Sequence, residues 1–422
     1  MAAPPPANRR GHGGTGQNGD GGCGPFPPRH AWTEAIGSDG ALRWQTPLTV
    51  GGESGDETQP PLVVDGLSIS AQDGALTALD LGDGHQVWRW TGGGSAYGMW
   101  PSGDTVIALT DQVSTHAHLT ALDPATGHVV WQDHIAGMGL LGDQFLTGDG
   151  GLAWMRADGT LQVIDLADGH VRWSHSTGRT PALAAAGGNV LLGKAGTLTA
   201  YDAGTGNVRW STHGHPQEPA LTTAAGLVLV SSATMGGDSP TALTAIDPGT
   251  GHVRWQYDAG TDLTIVGGTS DGLLVARYVP DRRLTLLDVS DGKPRWTVDT
   301  ALSLDTQAVF TGDSVVTVEG GVAGYPRVRV VSRSLRSGDV RWQLDATGAV
   351  VGRAPLTQLG SLVVVQEMAR HPDQPGAATA YDIATGHHVW SASVPTIVQA
   401  PATAAGSVLI VQAADPSYGC AL

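Results

Sequence analysis

Short apolar runs, separated by turns that contain glycine and aspartate, follow one another along almost the whole chain. In the first complete repeat they read PPLVV, LSISA and ALTALD, with turns at Asp65-Gly66 and Asp73-Gly74. No segment sustains the 3.6-residue apolar spacing of an amphipathic helix. Short runs bounded by turn residues are typical of β-strands, so the pattern predicts an all-β chain.

A tryptophan ends each set of strands and returns nine times, with gaps of 37 to 48 residues. A period in this range indicates a repeat architecture. With the strand that carries the tryptophan, each repeat has four predicted strands, which fits one antiparallel blade of a β-propeller. The repeated residues are Trp44, Trp88, Trp131, Trp173, Trp210, Trp255, Trp296, Trp342 and Trp390.

Most of these tryptophans end the phrase Asp-x3-Gly-x3-Trp, as in ALDPATGHVVW. We interpret the phrase as a hairpin in which the aspartate caps the turn and the glycine supplies a positive φ. The tryptophan is then a large anchor that a neighbouring blade covers. Ser334 replaces the aspartate in one copy, and the first copy keeps only Gly40 and Trp44. The aspartates are Asp80, Asp123, Asp165, Asp202, Asp247, Asp288 and Asp382.

The number of blades depends on how the two ends of the chain are counted. Eight complete sets of strands run from about residue 58 to residue 390, and strand-like segments remain at residues 41–45, 397–412 and 420–422. Literal counting gives nine blades, but ordinary propellers have four to eight, so we expect eight. We assign residues 1–30, which are rich in Gly, Pro, Asn and Arg, to a disordered tail, and residues 31–422 to one propeller domain.

Composition argues against two classes of partner. A net charge of −16 without a basic stripe predicts no nucleic-acid binding. No apolar run reaches the length of a transmembrane helix, and the first residues show no apolar signal-peptide core. The histidines that follow the turn glycines are spread over the repeats, so we predict exposed turn residues rather than one metal site.

The repeated phrase resembles the tryptophan-docking motif of the propellers of the pyrroloquinoline-quinone (PQQ) type, over nearly the whole chain. That family contains quinone-dependent dehydrogenases. It also contains non-enzymatic members similar to the lipoprotein scaffold of the bacterial outer-membrane assembly machine, or to extracytoplasmic sensor domains of actinobacteria. The resemblance implies an extracytoplasmic or cell-surface location, and the cytoplasm is the alternative because the sequence shows no signal-peptide core. We expect a monomeric ring.

We expect no catalysis, no cofactor and no metal in this chain. The alcohol-dehydrogenase branch of the family typically has adjacent cysteines beside its quinone, whereas Cys23 and Cys420 lie near opposite ends. No cluster of carboxylates and amides stands out as a calcium site. The predicted function is therefore a scaffold that binds a protein or peptide. A small-ligand sensor is the alternative, and a quinone-dependent dehydrogenase is the third possibility.

The two cysteines allow a disulfide clasp, because a propeller brings its first and last blades together. Two free thiols are the alternative, and the sequence leaves both open.

Unequal loop lengths predict the working surface. The connection between the second and third strands is tight in repeats one, three and four but long in repeats five to eight. Long loops confined to one face of a repeat fold often mark its binding side. Arginine, tyrosine and methionine in these loops are types enriched at interfaces. The predicted contact residues are Arg277, Tyr278, Arg282, Arg283, Tyr325, Arg327, Met368, Arg370 and His371.

Overall fold

A computed structural model gives the fold. The structure describes residues 30–49, 60–72, 75–92, 95–111, 116–136, 144–156, 158–178, 182–217, 219–232, 241–260, 263–278, 281–300, 308–320, 328–345, 356–367, 376–394, 397–398 and 402–414. These residues form β-strands joined by turns. Within them, no helix is long and apolar enough to cross a membrane.

Thirty-seven strands make up the described part of the chain. They are β1 (His30–Gly37), β2 (Leu42–Thr49), β3 (Leu62–Val64), β4 (Leu67–Gln72), β5 (Ala75–Asp80), β6 (Gln86–Trp90), β7 (Ser95–Ser102), β8 (Thr105–Asp111), β9 (His116–Leu122), β10 (Val129–Ala136), β11 (Gln144–Leu146), β12 (Gly151–Met155), β13 (Thr160–Asp165), β14 (Val171–Ser176), β15 (Ala182–Ala186), β16 (Asn189–Lys194), β17 (Thr197–Asp202), β18 (Val208–His213), β19 (Pro219–Ala224), β20 (Leu227–Ser232), β21 (Ala242–Ile246), β22 (Val253–Asp258), β23 (Leu263–Gly268), β24 (Gly272–Arg277), β25 (Arg283–Asp288), β26 (Pro294–Asp299), β27 (Ala308–Thr311), β28 (Ser314–Glu319), β29 (Arg329–Ser334), β30 (Val340–Asp345), β31 (Leu356–Leu359), β32 (Leu362–Glu367), β33 (Gly376–Asp382), β34 (His388–Val394), β35 (Ile397–Val398), β36 (Thr403–Ala405) and β37 (Val408–Ala414).

Each group of four consecutive strands from β3 to β34 forms one antiparallel sheet, giving blades I to VIII in chain order. We name the strands of a blade A to D along the sheet. The A strands of neighbouring blades contact one another, which places them around the axis of the ring. The connections from B to C and from D to the next blade share one face, which we call the upper face. The turns from A to B and from C to D share the opposite, lower face.

The ends of the chain combine into a ninth sheet, so the expectation of eight blades is wrong and the literal count of nine is right for the described residues. In this blade IX, β37 pairs with β1 over seven residue pairs, and β2 completes the sheet. The C strand is therefore β1, rather than the last three residues of the chain, which lie outside the described residues. The all-β propeller of four-stranded antiparallel blades is confirmed.

A tryptophan docks each blade onto the next. In every one of the nine blades the turn glycine lies against the indole of the preceding blade, and at Gly251 an added Cβ would come within 2.6 Å of the Trp210 ring. The φ of +75° at Gly251 also favours glycine. The pairs are Trp44–Gly84, Trp88–Gly127, Trp131–Gly169, Trp173–Gly206, Trp210–Gly251, Trp255–Gly292, Trp296–Gly338, Trp342–Gly386 and Trp390–Gly40.

The last pair closes the ring. The Trp390 indole packs on Gly40 of blade IX, and its Nε1 donates to the Ser38 carbonyl at 2.9 Å. Seven other indoles donate in the same way to a backbone carbonyl in the next turn, at 2.7 to 3.0 Å. Trp131 is the exception, since its Nε1 has no partner among the described residues. The docking is thus continuous around all nine blades.

Candidate functional site

The lower face repeats one turn with little variation. In blade V, Asp247 Oδ1 accepts hydrogen bonds from the backbone N–H groups of Gly249 and Thr250, at 3.1 and 3.0 Å. Its other oxygen lies 2.6 Å from Nη2 of Arg254, the residue before the docking tryptophan. Three further blades pair the same two positions: Asp165 with Arg172, Asp202 with Arg209, and Asp288 with Arg295.

These contacts make the turn carboxylates strongly acidic. The Arg209 guanidinium and the N–H and hydroxyl of Thr205 lower the pKa of Asp202 to about 2. Hydrogen bonds from Ser290 and then Arg295 lower the pKa of Asp288 to about 2. The lower-face carboxylates are thus engaged in holding their own turns. In each of these pairs the arginine follows the aspartate by seven residues, a spacing that the sequence analysis did not recognise.

Two lower turns also bring a histidine beside two carboxylates. The triads are Asp80, Asp83 and His85 in DLGDGH, and Asp165, Asp168 and His170 in DLADGH, with possible ligand atoms within 4.8 Å of one another. Hydrogen bonding to Asp83 raises the pKa of His85. Each triad is mostly exposed, and Asp80 and Asp165 already accept hydrogen bonds from backbone N–H groups of their own turns. We therefore interpret both triads as parts of the turn structure.

The upper face differs from blade to blade. In blade IV, Lys194 and Thr197 flank a two-residue connection from B to C, whereas the corresponding connections of blades V to VIII span longer segments. In blade VI the strands end with Arg277 directly opposite Arg283. Two like charges in this register repel each other. Asp281, in the connection, offsets the repulsion: its Oδ1 lies 2.6 Å from Nη2 of Arg277, and its Oδ2 lies 2.8 Å from Nη2 of Arg283.

The two guanidiniums differ in exposure and in their remaining bonds. Arg277 keeps only 20% of its side-chain surface exposed and donates from Nη1 to the Ala259 carbonyl at 3.2 Å. Its Nε is buried and has no acceptor among the described residues. Arg283 is 43% exposed and reaches Asp299 at 3.1 Å. Arg277 therefore keeps one N–H donor, Nε, without an acceptor among the described residues, and the Arg283 guanidinium is partly exposed to solvent.

A small cavity of about 80 Å³, open to solvent, lies beside these arginines at the junction of blades V and VI. Leu263 and Val275 line it together with Tyr257, Thr285 and both arginines. It is a small, largely polar recess beside two positive charges.

The predicted contact residues fall into three groups. Arg277, Arg282 and Arg283 lie at the upper end of blade VI, and the Arg282 carbonyl accepts the N–H of Thr300 at 3.0 Å. Tyr278 is only 6% exposed and packs in the core between blades VI and VII, so it supports the loop from below. The others, and both cysteines with their proposed clasp, lie outside the described residues: Cys23, Tyr325, Arg327, Met368, Arg370, His371 and Cys420.

The sequence matches one family model and one curated relative. The family model described as outer membrane protein assembly factor BamB matches residues 33–143, 113–224 and 219–368. A polyvinylalcohol dehydrogenase from a Pseudomonas species is 28% identical over 127 residues, which are 30% of this chain and 19% of that enzyme. The chain therefore spans about a fifth of the length of this curated relative.

Solved structures that align with most of this chain do so at low sequence identity. BamB from Moraxella catarrhalis is 17% identical, and the alignment covers 75% of this chain and 95% of that one with a TM-score of 0.47. A eukaryotic initiation factor is 9% identical, and the alignment covers 90% of this chain and 98% of that one with a TM-score of 0.61. At such identities the likeness concerns the fold alone.

Proposed function

Because the chain belongs to the family of the outer membrane protein assembly factor BamB, we propose that it is a non-catalytic propeller scaffold. It binds a protein or peptide partner through the upper face of blades V to VIII. Its place of action is outside the cytoplasm, as for the assembly factor that names the family. The proposal depends on the family and on the candidate site, because propellers with the same fold have many different functions.

The observation that carries the proposal is the arginine cluster beside the cavity of blades V and VI. Arg277, whose side chain is 20% exposed, offers a positive charge to a carbonyl or carboxylate oxygen of the partner. Arg283 supplies a second, more exposed positive charge on a chain of net charge −16. The small cavity beside them, lined in part by Leu263 and Val275, accepts a small group next to that oxygen. Arginine with an adjacent pocket is a common composition of binding hot spots.

A capture experiment with matched charge reversals tests the proposal. The upper-face variant carries Arg282→Glu with Arg283→Glu, and the lower-face control carries Lys293→Glu with Arg336→Glu. Both variants change the net charge by the same amount, and all four residues lie in blades VI and VII. We expect proteins captured from an extract of the source cells to be lost with the upper-face variant and retained with the control. Retention by the upper-face variant would reject the proposed face.

Two alternatives have an observation in their favour. The cavity beside Arg277 fits a small-ligand sensor, for which a single small compound would raise the melting temperature. The local match to a dehydrogenase favours a quinone enzyme. We expect the folded protein, mixed with PQQ and calcium, to take up no stoichiometric quinone chromophore. Uptake together with dye-linked alcohol oxidation would replace the scaffold proposal with the enzyme.

A further inference from the structure

Blade IX contacts its two neighbours through very different surfaces. Toward blade VIII, the described residues form a core of eleven buried side chains, with Trp390 and Val364 on one side and Leu409 and Val411 on the other. Toward blade I, the buried apolar cluster holds only Ala35, Trp44, Leu79 and Ile410. We call this second contact, between blades IX and I, the closure seam.

Alternation along the strands identifies what else faces the closure seam. Thr33 and Gln412 are cross-strand partners on the same side of blade IX as Ala35 and Ile410. Ser68 pairs with Leu79, and Ser70 pairs with Thr77 on the same side of blade I. Because residues two apart on a strand share a face, Thr33, Gln412, Ser68 and Ser70 all point into the closure seam.

Each of these four buried side chains has a polar atom without a hydrogen-bond partner among the described residues. Their exposure is 2% or less. Among the described residues, no partner is present for the hydroxyls of Thr33, Ser68 and Ser70 or for Nε2 of Gln412. An unpaired buried polar group costs about 1–3 kcal/mol unless a water molecule satisfies it. No other contact between blades in the described part of the chain collects more than three such side chains.

The direct bonds across the closure seam lie mainly along its lower edge. Trp44 Nε1 donates to the Leu81 carbonyl at 2.9 Å, and Thr46 donates to the Gly84 carbonyl at 2.5 Å. Thr403 adds a bond to the Pro61 carbonyl at 2.8 Å, at the upper ends of the two A strands. Ser70, Thr33 and Gln412 lie nearer the upper ends of their strands, and Ser68 lies nearer the lower end of β4. Direct bonds therefore lie at both edges of the closure seam, and the polar side chains lie between them.

We propose that the closure seam holds ordered water beside these four side chains and is the contact between blades at which the ring opens. Water satisfies the hydroxyls and the amide in the closed ring, as buried water does elsewhere. Opening costs least here, because few apolar side chains are separated and the polar groups gain water on both sides.

Thiol labelling tests this opening with closely matched variants. In a full-length background with Cys23→Ser and Cys420→Ser, one protein carries Ser70→Cys in the closure seam. A second carries Ser332→Cys, which faces blade VIII from blade VII. Ser332 is also fully buried and its hydroxyl also lacks a partner among the described residues. Both changes replace one small hydroxyl with a thiol, so the two sites differ chiefly in the contact that surrounds them.

We expect a small thiol reagent to modify the cysteine at position 70 at least about tenfold faster than the one at position 332. An additional opening free energy of about 1.4 kcal/mol at position 332 corresponds to a factor of ten. Equal rates, or faster reaction at position 332, would overturn the proposed opening. If Ser70→Cys fails to fold, Thr33→Cys repeats the comparison from the other side of the closure seam, with the same expected and opposing results.

Discussion

The two faces of this ring follow different rules. On the lower face, glycine and tryptophan recur in all nine blades, and the carboxylate, where present, caps the same turn. On the upper face the connections vary in length, and blade VI places two opposed arginines around a single aspartate. The lower face determines the fold, because its contacts join one blade to the next. Among the described residues, the upper-face connections differ in length from blade to blade and show no contact that repeats around the ring.

The largest expected effect comes from removing a docking indole. Trp255 is 6% exposed, and its Nε1 donates to the Val289 carbonyl of blade VI at 2.7 Å. We expect Trp255→Ala to cost roughly 3–5 kcal/mol of unfolding free energy, as for other large buried aromatic residues. Denaturant unfolding measures it. Val253→Ala, an exposed change two residues earlier on the same strand, is the control and leaves stability nearly unchanged.

A smaller effect is expected from the cap of the same hairpin. Asp247→Ala removes two backbone hydrogen bonds and the partner of Arg254, but the turn remains solvated. We expect a loss of about 1 kcal/mol, the usual net value of a partly exposed hydrogen bond. Asp247→Asn keeps the Oδ1 acceptor and retains most of the stability. A cap worth as much as the indole would contradict the view that docking dominates the lower face.

The lower-face carboxylates also make the stability of the protein depend on pH. The pKa values of Asp202 and Asp288 are about 2 in the folded chain, below the ordinary 3.8. A carboxylate whose pKa is lowered by folding stabilises the protein above its unfolded pKa, and this contribution disappears as the pH falls through the folded pKa. We expect stability to fall between about pH 4 and pH 2. In Asp202→Asn this fall is shallower, as thermal melts at stepped pH will measure.

The smallest stability effect is expected on the upper face. Arg282→Glu with Arg283→Glu changes two half-exposed charges, and the ion pairs of Arg283 are with carboxylates that are 40% and 84% exposed. Exposed pairs contribute little, so we expect the free energy of unfolding to move by no more than about 0.5 kcal/mol. A melting temperature lowered as far as by Trp255→Ala would show that the upper face is structural as well.

The difference between the lower and upper faces also explains which features the sequence could predict. The period of the tryptophans indicated the blades because Asp247, Gly251 and Trp255 act within one hairpin and its neighbour. The blade count was missed because closure depends on β1 pairing with β37, nearly 400 residues away, and no local pattern encodes that register. Arg277 and Arg283 were predicted as contact residues from residue type and loop length, and their role in binding stays a prediction. Tyr278 was misplaced on the surface, because a loop boundary does not reveal which side chain turns into the core.

Amine crosslinking of the captured partner tests the central claim most directly. The chain contains only two lysines, one on each face: Lys194 at the upper end of blade IV and Lys293 in a lower turn of blade VI. Both are exposed, so either ammonium can react. The account predicts partner crosslinks through Lys194, adjacent to blade V, and none through Lys293. Crosslinks through Lys293 with Lys194 unreacted would place the partner on the lower face and contradict the account.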